Sequence, residues 1–220
     1  MTLAPIAHHL VVPRTARYYT LGESEAAEAV WFVLHGYSML AASFLQWFEP
    51  AARPGRLLVA PEGLSRAYFE EQGARRVGAS WMTKEDRDVE IEDYVRYLEQ
   101  LAAQVQQATP AAARIEVHAF SQGTATACRW VAFGRTRVDR LVLWAGGVPP
   151  DLPLDRYGPA LQQAGLTIAI GSRDRYISQA DVDREQARLA GAGLFPTVHR
   201  FEGGHRVDGA LLRTLAGEQA

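Results

Sequence analysis

Ser121 stands between the apolar run Ile115–Phe120 and a stretch of helical character. Its neighbours two positions away on either side are small, Ala119 and Gly123. A strand that turns abruptly into a helix crowds those two positions and lifts the serine hydroxyl above the end of a sheet, where a substrate can reach it. Serine is also a favoured helix N-cap, so this segment alone is ambiguous, and partners decide. A hydroxyl becomes a useful nucleophile when a base removes its proton and an acid orients that base. Two histidines follow Ser121 in the chain, His199 and His205. His199 falls inside the weak strand candidate Thr197–Phe201 and reads as a packed or surface residue. His205 follows Gly203-Gly204, which free a loop to bend back over the sheet, and is the preferred base. For the acid, Leu166–Ile170 runs into Gly171-Ser172-Arg173-Asp174, placing Asp174 just past a strand's carboxyl end. Asp181 and Asp183, in the next helical stretch, read as solvated helix charges.

Acyl transfer also needs donors for the oxygen that becomes negative. Val30–Leu34 runs into His35-Gly36-Tyr37-Ser38, a loop able to aim a backbone N–H at that oxygen. The N–H of Gln122, directly after Ser121, supplies a second donor. His35 itself reads as a residue that holds the loop. The chain order Ser121…Asp174…His205 is that of an α/β-hydrolase triad and differs from the two other common serine-hydrolase orders.

The elements that must hold these groups alternate between strand and helix, the pattern of an α/β domain with a mostly parallel sheet. Val30–Leu34, Leu57–Ala60, Ile115–Phe120, Leu141–Trp144 and Leu166–Ile170 are continuous apolar runs, as expected for strands buried on both faces. His9–Val12 and Arg17–Leu21, flanking Pro13, predict an antiparallel hairpin at the start. Ile91, Tyr94, Val95, Leu98, Leu101, Ala102 and Val105 form one apolar stripe at helical spacing. Thr83-Lys84-Glu85-Asp86 resembles a capping box for that helix. Shorter helices are expected over Ala41–Phe48, Gln122–Phe133, Gln179–Ala190 and Val207–Leu215.

Composition narrows the function classes. The 220 residues, 48% hydrophobic and 22% charged, describe one domain spanning residues 1–220, long enough to bury a core without disulfides or structural metal. A formal net charge of −2 leaves no electrostatic footprint for nucleic acid or anionic lipid. The single cysteine, Cys128, cannot form an internal disulfide. The first residues, MTLAPIAHHL, lack a signal-peptide pattern, and no apolar run approaches the ~20 residues of a membrane span. A cytoplasmic protein without a membrane span is expected, and a homodimer stays open. Neither a metal-spaced His/Cys/Asp set nor a glycine-rich nucleotide loop is present, so no cofactor is expected.

Five segments in this order carry a resemblance: LHGY (Leu34–Tyr37), APEG (Ala60–Gly63), FSQG (Phe120–Gly123), GSRD (Gly171–Asp174) and GGH (Gly203–His205). The sequence resembles the phospholipase/carboxylesterase branch of the α/β-hydrolase superfamily, which includes acyl-protein thioesterases and bacterial carboxylesterases. The resemblance spans most of the chain and implies an α/β-hydrolase fold. It implies Ser121 as nucleophile, Asp174 as acid and His205 as base, with Tyr37 and Gln122 as oxyanion donors. Ala119 replaces the family's usual first elbow glycine, a mild steric change. Gly78–Thr83 departs from the Trp-Phe-Asp of acyl-protein thioesterases, which weakens transfer of a protein-deacylating role.

Only a short Pro-rich connection around Val148-Pro149-Pro150 separates Trp144 from Leu166, so a minimal lid or none is expected. Met39, Tyr68, Trp81 and Met82 fall in loops that border the expected site and are the candidate substrate-binding residues. The leading expectation is a serine carboxylesterase acting on short- to medium-chain acyl esters of small molecules through an acyl-serine. Acyl thioesterase or lysophospholipase chemistry on the same fold is the alternative. A catalytically silent small-molecule binder ranks below both, because a binder has no need of all three polar residues.

Overall fold

In the computed structural model, which describes residues 4–71 and 73–217, the apolar runs become strands of one sheet. They are β1 (Tyr18–Leu21), β2 (Ala29–Leu34), β3 (Arg56–Pro61), β6 (Arg114–Phe120), β7 (Arg140–Trp144), β8 (Thr167–Gly171) and β9 (Thr197–Phe201). The other two strands, β4 (Ser65–Glu71) and β5 (Ala74–Ser80), pair only with each other. The seven-stranded order is β1-β3-β2-β6-β7-β8-β9, parallel throughout except for β1.

The helices are α1 (Ala41–Leu45), which continues as a 3-10 turn over Gln46–Ala51, α2 (Arg87–Ala108), α3 (Gln122–Phe133), α4 (Leu154–Gln163), α5 (Gln179–Gly191) and α6 (Gly209–Leu215). Alternation along β2 divides the core in two. Phe32 and Leu34 join the cluster that buries the stripe of α2 together with α3 and α5. Trp31 and Val33 join the opposite cluster, with Phe44, Phe48 and Leu212. The central strands therefore read as unbroken apolar runs because both of their faces are covered. Cys128 of α3 is a free thiol buried in the first cluster. Among the described residues no helix is long and apolar enough to cross a membrane.

Four expectations about elements change. The opening hairpin is absent: Tyr18–Leu21 pairs antiparallel with β3, while His9–Val12 forms no strand and Leu10, Val11 and Val12 are exposed. The capping box does not start α2. Asp86 occupies the N-cap with φ of +49° and no capping side chain, and Thr83 Oγ1 accepts from Glu85 N–H in the turn before it. The β4–β5 hairpin occupies a stretch read as loop. Gly73, directly before β5, has φ of +78°, a value that favours glycine. The connection from β7 to β8 is more than a Pro-rich loop, since it carries the ten-residue α4.

Candidate active site

Parallel strands deliver their carboxyl ends to one edge of the sheet, and the polar residues singled out above collect there. β6 ends at Phe120, and Ser121 turns the chain into α3 with φ of +52°. A non-glycine residue in that region carries roughly 1–3 kcal/mol of backbone strain. Three hydrogen bonds hold it: the Ser121 N–H donates to Trp144 O at 3.0 Å, and the Ser121 carbonyl accepts from Thr124 N–H and Oγ1–H. The small neighbours border the end of β2. Ala119 lies in register with Leu34, and a Cβ on Gly123 would stand 2.6 Å from Leu34 O and 2.7 Å from His35 O. The crowding is thus against the end of β2 and the first residue of the loop that follows it.

That loop is pinned from several directions. His35 is buried; its Nε2 accepts the Gly63 N–H at 2.9 Å, so Nδ1 carries the proton and donates to Gly36 O at 2.7 Å. Burial lowers the His35 pKa and keeps the ring neutral. Trp81 stacks on His35 with centroids 4.9 Å apart and donates its indole N–H to His35 O at 2.8 Å. Ser38, at φ +62°, donates its N–H to Ala79 O, and Ala79 N–H donates to Met39 O, so the loop docks on β5. A Cβ on Gly78 would lie 2.3 Å from Ser38 O, which glycine alone permits. The Gln122 side chain donates to Ser80 Oγ at 3.0 Å and to Met82 O at 2.9 Å, and accepts from Trp81 N–H at 3.2 Å. Glu62, also buried, accepts from Arg17, Arg66 and the Ala41 N–H. Burial alone would raise its pKa, but the hydrogen bonds from Arg66, Arg17 and Ala41 outweigh that and hold the carboxyl below its ordinary range. The N–H groups of Tyr37 and Gln122 have no hydrogen-bond partner among the described residues.

The opposite wall is built from the ends of β8 and β9. A Cβ on Gly171 would meet Gly204 O at 2.4 Å and Gly203 O at 2.5 Å, so the two loops touch backbone to backbone. Ser172 N–H donates to Phe201 O and Arg173 N–H to Gly203 O, each at 2.8 Å. Gly203 and Gly204 do not adopt positive φ, so they serve close approach rather than the backbone bending expected of them. Asp174 is fully buried at its side chain; Oδ1 accepts from Tyr176 N–H at 2.8 Å and Ile177 N–H at 3.2 Å. Its Oδ2 accepts from His205 Nδ1 at 2.8 Å, and His205 Nε2 lies 3.0 Å from Ser121 Oγ. The imidazole is flanked by Phe120, with centroids 4.9 Å apart, and by Tyr176 at 4.7 Å.

Ser121, Asp174 and His205 therefore form one hydrogen-bonded chain. His199 is not part of it and sits in β9, in register with Ala169. Asp181 is the reciprocal capping partner of Ser178 at the start of α5 rather than a free surface charge. The expected substrate-lining residues do not form one surface. Trp81 is only 2% exposed and supports the His35 loop from beneath, so it is not open to a ligand. Met82 packs on the α2–α3 core with Sδ 3.6 Å from Arg129 Nη1. Met39 is half-buried against the opposite core, and Tyr68 projects into solvent on β4 under the Arg75 guanidinium. Tyr176, Gly171 and the Gln122 side chain were not foreseen. The glycine ending an apolar run was a visible signal for Gly171; nothing in the sequence marks Tyr176.

No family model matches the chain, nor does any curated protein. Solved structures do. The chain is similar to acyl-protein thioesterase 2 of Zea mays, with a TM-score of 0.68 at 16% identity, covering 93% of this chain and 99% of that one. It is similar to the Bacillus cereus carboxylesterase, with a TM-score of 0.64 at 16% identity and 92% coverage of both chains. A phospholipase/carboxylesterase from Dyadobacter fermentans gives 0.65 at 14% identity, covering 94% of this chain and 97% of that one. At such identities the likeness concerns architecture, and the architecture of this chain is the α/β-hydrolase fold.

Proposed function

We propose that the chain is a serine carboxylesterase that hydrolyses short- to medium-chain acyl esters through an acyl-serine intermediate. The observation that carries this reading is the continuous path from Ser121 Oγ through His205 to the buried Asp174 carboxylate, at 3.0 and 2.8 Å. With Nδ1–H donating to Asp174, the Nε2 lone pair is free to take the Ser121 proton as Oγ attacks the ester carbonyl. The carbonyl electron pair moves onto oxygen, and the Tyr37 and Gln122 N–H groups are the donors for that oxyanion. The tetrahedral adduct collapses by expelling the alkoxide, which takes the proton from Nε2. Water then repeats the sequence on the acyl-serine, with His205 again as base, and the carboxylic acid leaves. Asp174 keeps the imidazole in this tautomer while Tyr176 and Ile177 N–H fill its other oxygen.

The test is turnover of aryl esters, with a matched thioester and a lysophospholipid in the same panel. Ser121→Ala and His205→Ala are expected to lose about 10⁴–10⁶-fold in kcat while staying folded. His199→Ala is expected to stay near the wild-type rate. A fluorophosphonate is expected to label Ser121 alone. Full turnover in Ser121→Ala overturns the reading, and a thioester rate exceeding the ester rate replaces carboxylesterase with thioesterase.

A further inference from the structure

The loops after β8 and β9 bring charged side chains to the imidazole side of the site, and most of those charges are matched. Arg173 pairs with Glu202 at 3.0 Å, and Arg206 pairs with Asp208 at 2.9 Å. The buried Asp174 carboxylate has both oxygens occupied, one by Tyr176 and Ile177 N–H and the other by His205. Arg175 differs. It is exposed, and among the described residues its guanidinium meets neither a carboxylate nor any other hydrogen-bond acceptor. It lies over the Tyr176 ring instead, 4.7 Å from the centroid, a cation–π contact that restrains the long side chain. The centroid of that ring is in turn 4.7 Å from the centroid of the His205 ring. The guanidinium carbon therefore stands within twice that distance of the imidazole centre. The Tyr176 N–H is bonded to Asp174, so the backbone that carries both side chains is tied to the triad itself.

Proton transfer decides which half of an ester meets this cation. The leaving oxygen must lie at His205 Nε2 to take its proton, so the alcohol half extends along what flanks the imidazole. One flank is closed. Phe120 is 4% exposed and packs on Phe44 and Trp47, and a Cβ on Gly36 would stand 2.9 Å from its ring. The other flank is Tyr176, which is 63% exposed. The alcohol half therefore leaves the site along Tyr176, toward Arg175. A guanidinium offers a planar fork of donors that fits a carboxylate in both geometry and charge. Resting on the esterase reading above, we infer that Arg175 is a specificity residue and that the substrates are esters whose alcohol half bears a carboxylate. Tyr176 holds the guanidinium beside the leaving group, and esters of neutral alcohols reach the same triad without this contact.

The experiment compares kcat/KM for 4-acetoxybenzoate and for its methyl ester, two acetates on one ring that differ by a charge. Their leaving groups also differ in acidity, but that factor is common to every variant and cancels when ratios are compared. Arg175→Gln is expected to lower the acid-to-methyl-ester ratio about fivefold, the size of one exposed ion pair, with the loss falling in KM rather than kcat. Arg175→Lys keeps the charge without the fork and is expected to fall between wild type and Arg175→Gln. Arg175→Glu reverses the charge and is expected to lower the ratio about 25-fold. Replacing Arg173 and Glu202 together by Gln removes a matched pair and is expected to leave the ratio within about twofold. A second readout needs no variant. Raising the ionic strength from about 0.01 M to about 1 M shortens the screening length from roughly 30 Å to 3 Å, and is expected to bring the wild-type ratio down toward that of Arg175→Gln. A folded Arg175→Gln that keeps the wild-type ratio, or a wild-type ratio that salt does not change, overturns the inference. Absence of turnover of both esters by wild-type protein overturns the esterase reading instead, so the two failures are distinguishable.

Discussion

On the β2 side of Ser121 the wall is fastened by side chains: His35, Trp81, Gln122, Arg76 and Glu62 each bond to backbone or to one another across different segments. On the β8–β9 side the wall is fastened by backbone meeting backbone, with Gly171 against Gly203 and Gly204 and two N–H···O bonds, and by the rings of Phe120 and Tyr176 against His205. The first arrangement holds N–H groups that must stay still. The second holds an imidazole whose position is set by how closely two loops approach. The contrast implies that side-chain deletions loosen the first wall gradually, while one added methyl displaces the second.

Between the two walls, the larger expected effect is on the glycine wall. In Gly171→Ala the new Cβ would stand 2.4 and 2.5 Å from two carbonyl oxygens, so the His205 loop has to move. A shift on the order of 1 Å in the base is expected to reduce kcat by about 10²-fold with KM little changed, in a protein whose circular dichroism is unaltered. Equal activity in this variant would erase the distinction between the walls. Gln122→Ala tests the other side at intermediate size. It keeps the backbone N–H but strands Trp81 N–H and removes one of the two donors to Met82 O, and is expected to lower kcat about tenfold and Tm by roughly 5 °C. The smallest effect concerns Glu62. Its carboxyl titrates lower in the folded chain than in the unfolded one, so its contribution to stability is complete above the ordinary carboxylate range and is lost as pH falls through the lowered value. The Tm difference between wild type and Glu62→Gln is therefore expected to be widest near neutrality and to close on acidification. A constant difference across pH would show that the Arg17 and Arg66 pairs do not stabilise the loop.

The contrast between the walls also describes what could be read from the chain. The positions of Ser121 and Asp174 were legible because each follows an apolar run, and a run buried on both faces announces a strand end; His205 follows the largely polar edge strand β9 and was marked only by the two glycines before it. The buried strands and the α2 stripe were legible from their apolar residues. The β4–β5 hairpin was not, because it stands off the main sheet and its strands carry charges such as Arg66, Glu70 and Arg75. α4 was hidden by Pro153 at its N-cap and Pro159 within it. The apolar residues Leu10–Val12 suggested a strand, but β3 pairs with Tyr18–Leu21 and leaves them exposed. The place of Tyr176 beside His205 depends on how segments far apart in sequence meet, which no local pattern records. Trp81 illustrates the same limit: a loop tryptophan reads as pocket until its stacking partner is known.

On the proposed esterase reading, the φ of +52° at Ser121 sets catalysis and folding against each other at a single codon. Glycine occupies that region without steric penalty, and its extra freedom in the unfolded chain offsets only about 0.5–1 kcal/mol of the strain relieved. Ser121→Gly is therefore expected to melt higher than wild type while hydrolysing nothing. A library selected for heat resistance alone would drift toward an inert chain at this position. Stability screening of this protein has to be coupled to turnover, because the residue that would do the chemistry is one the fold, left to itself, would discard.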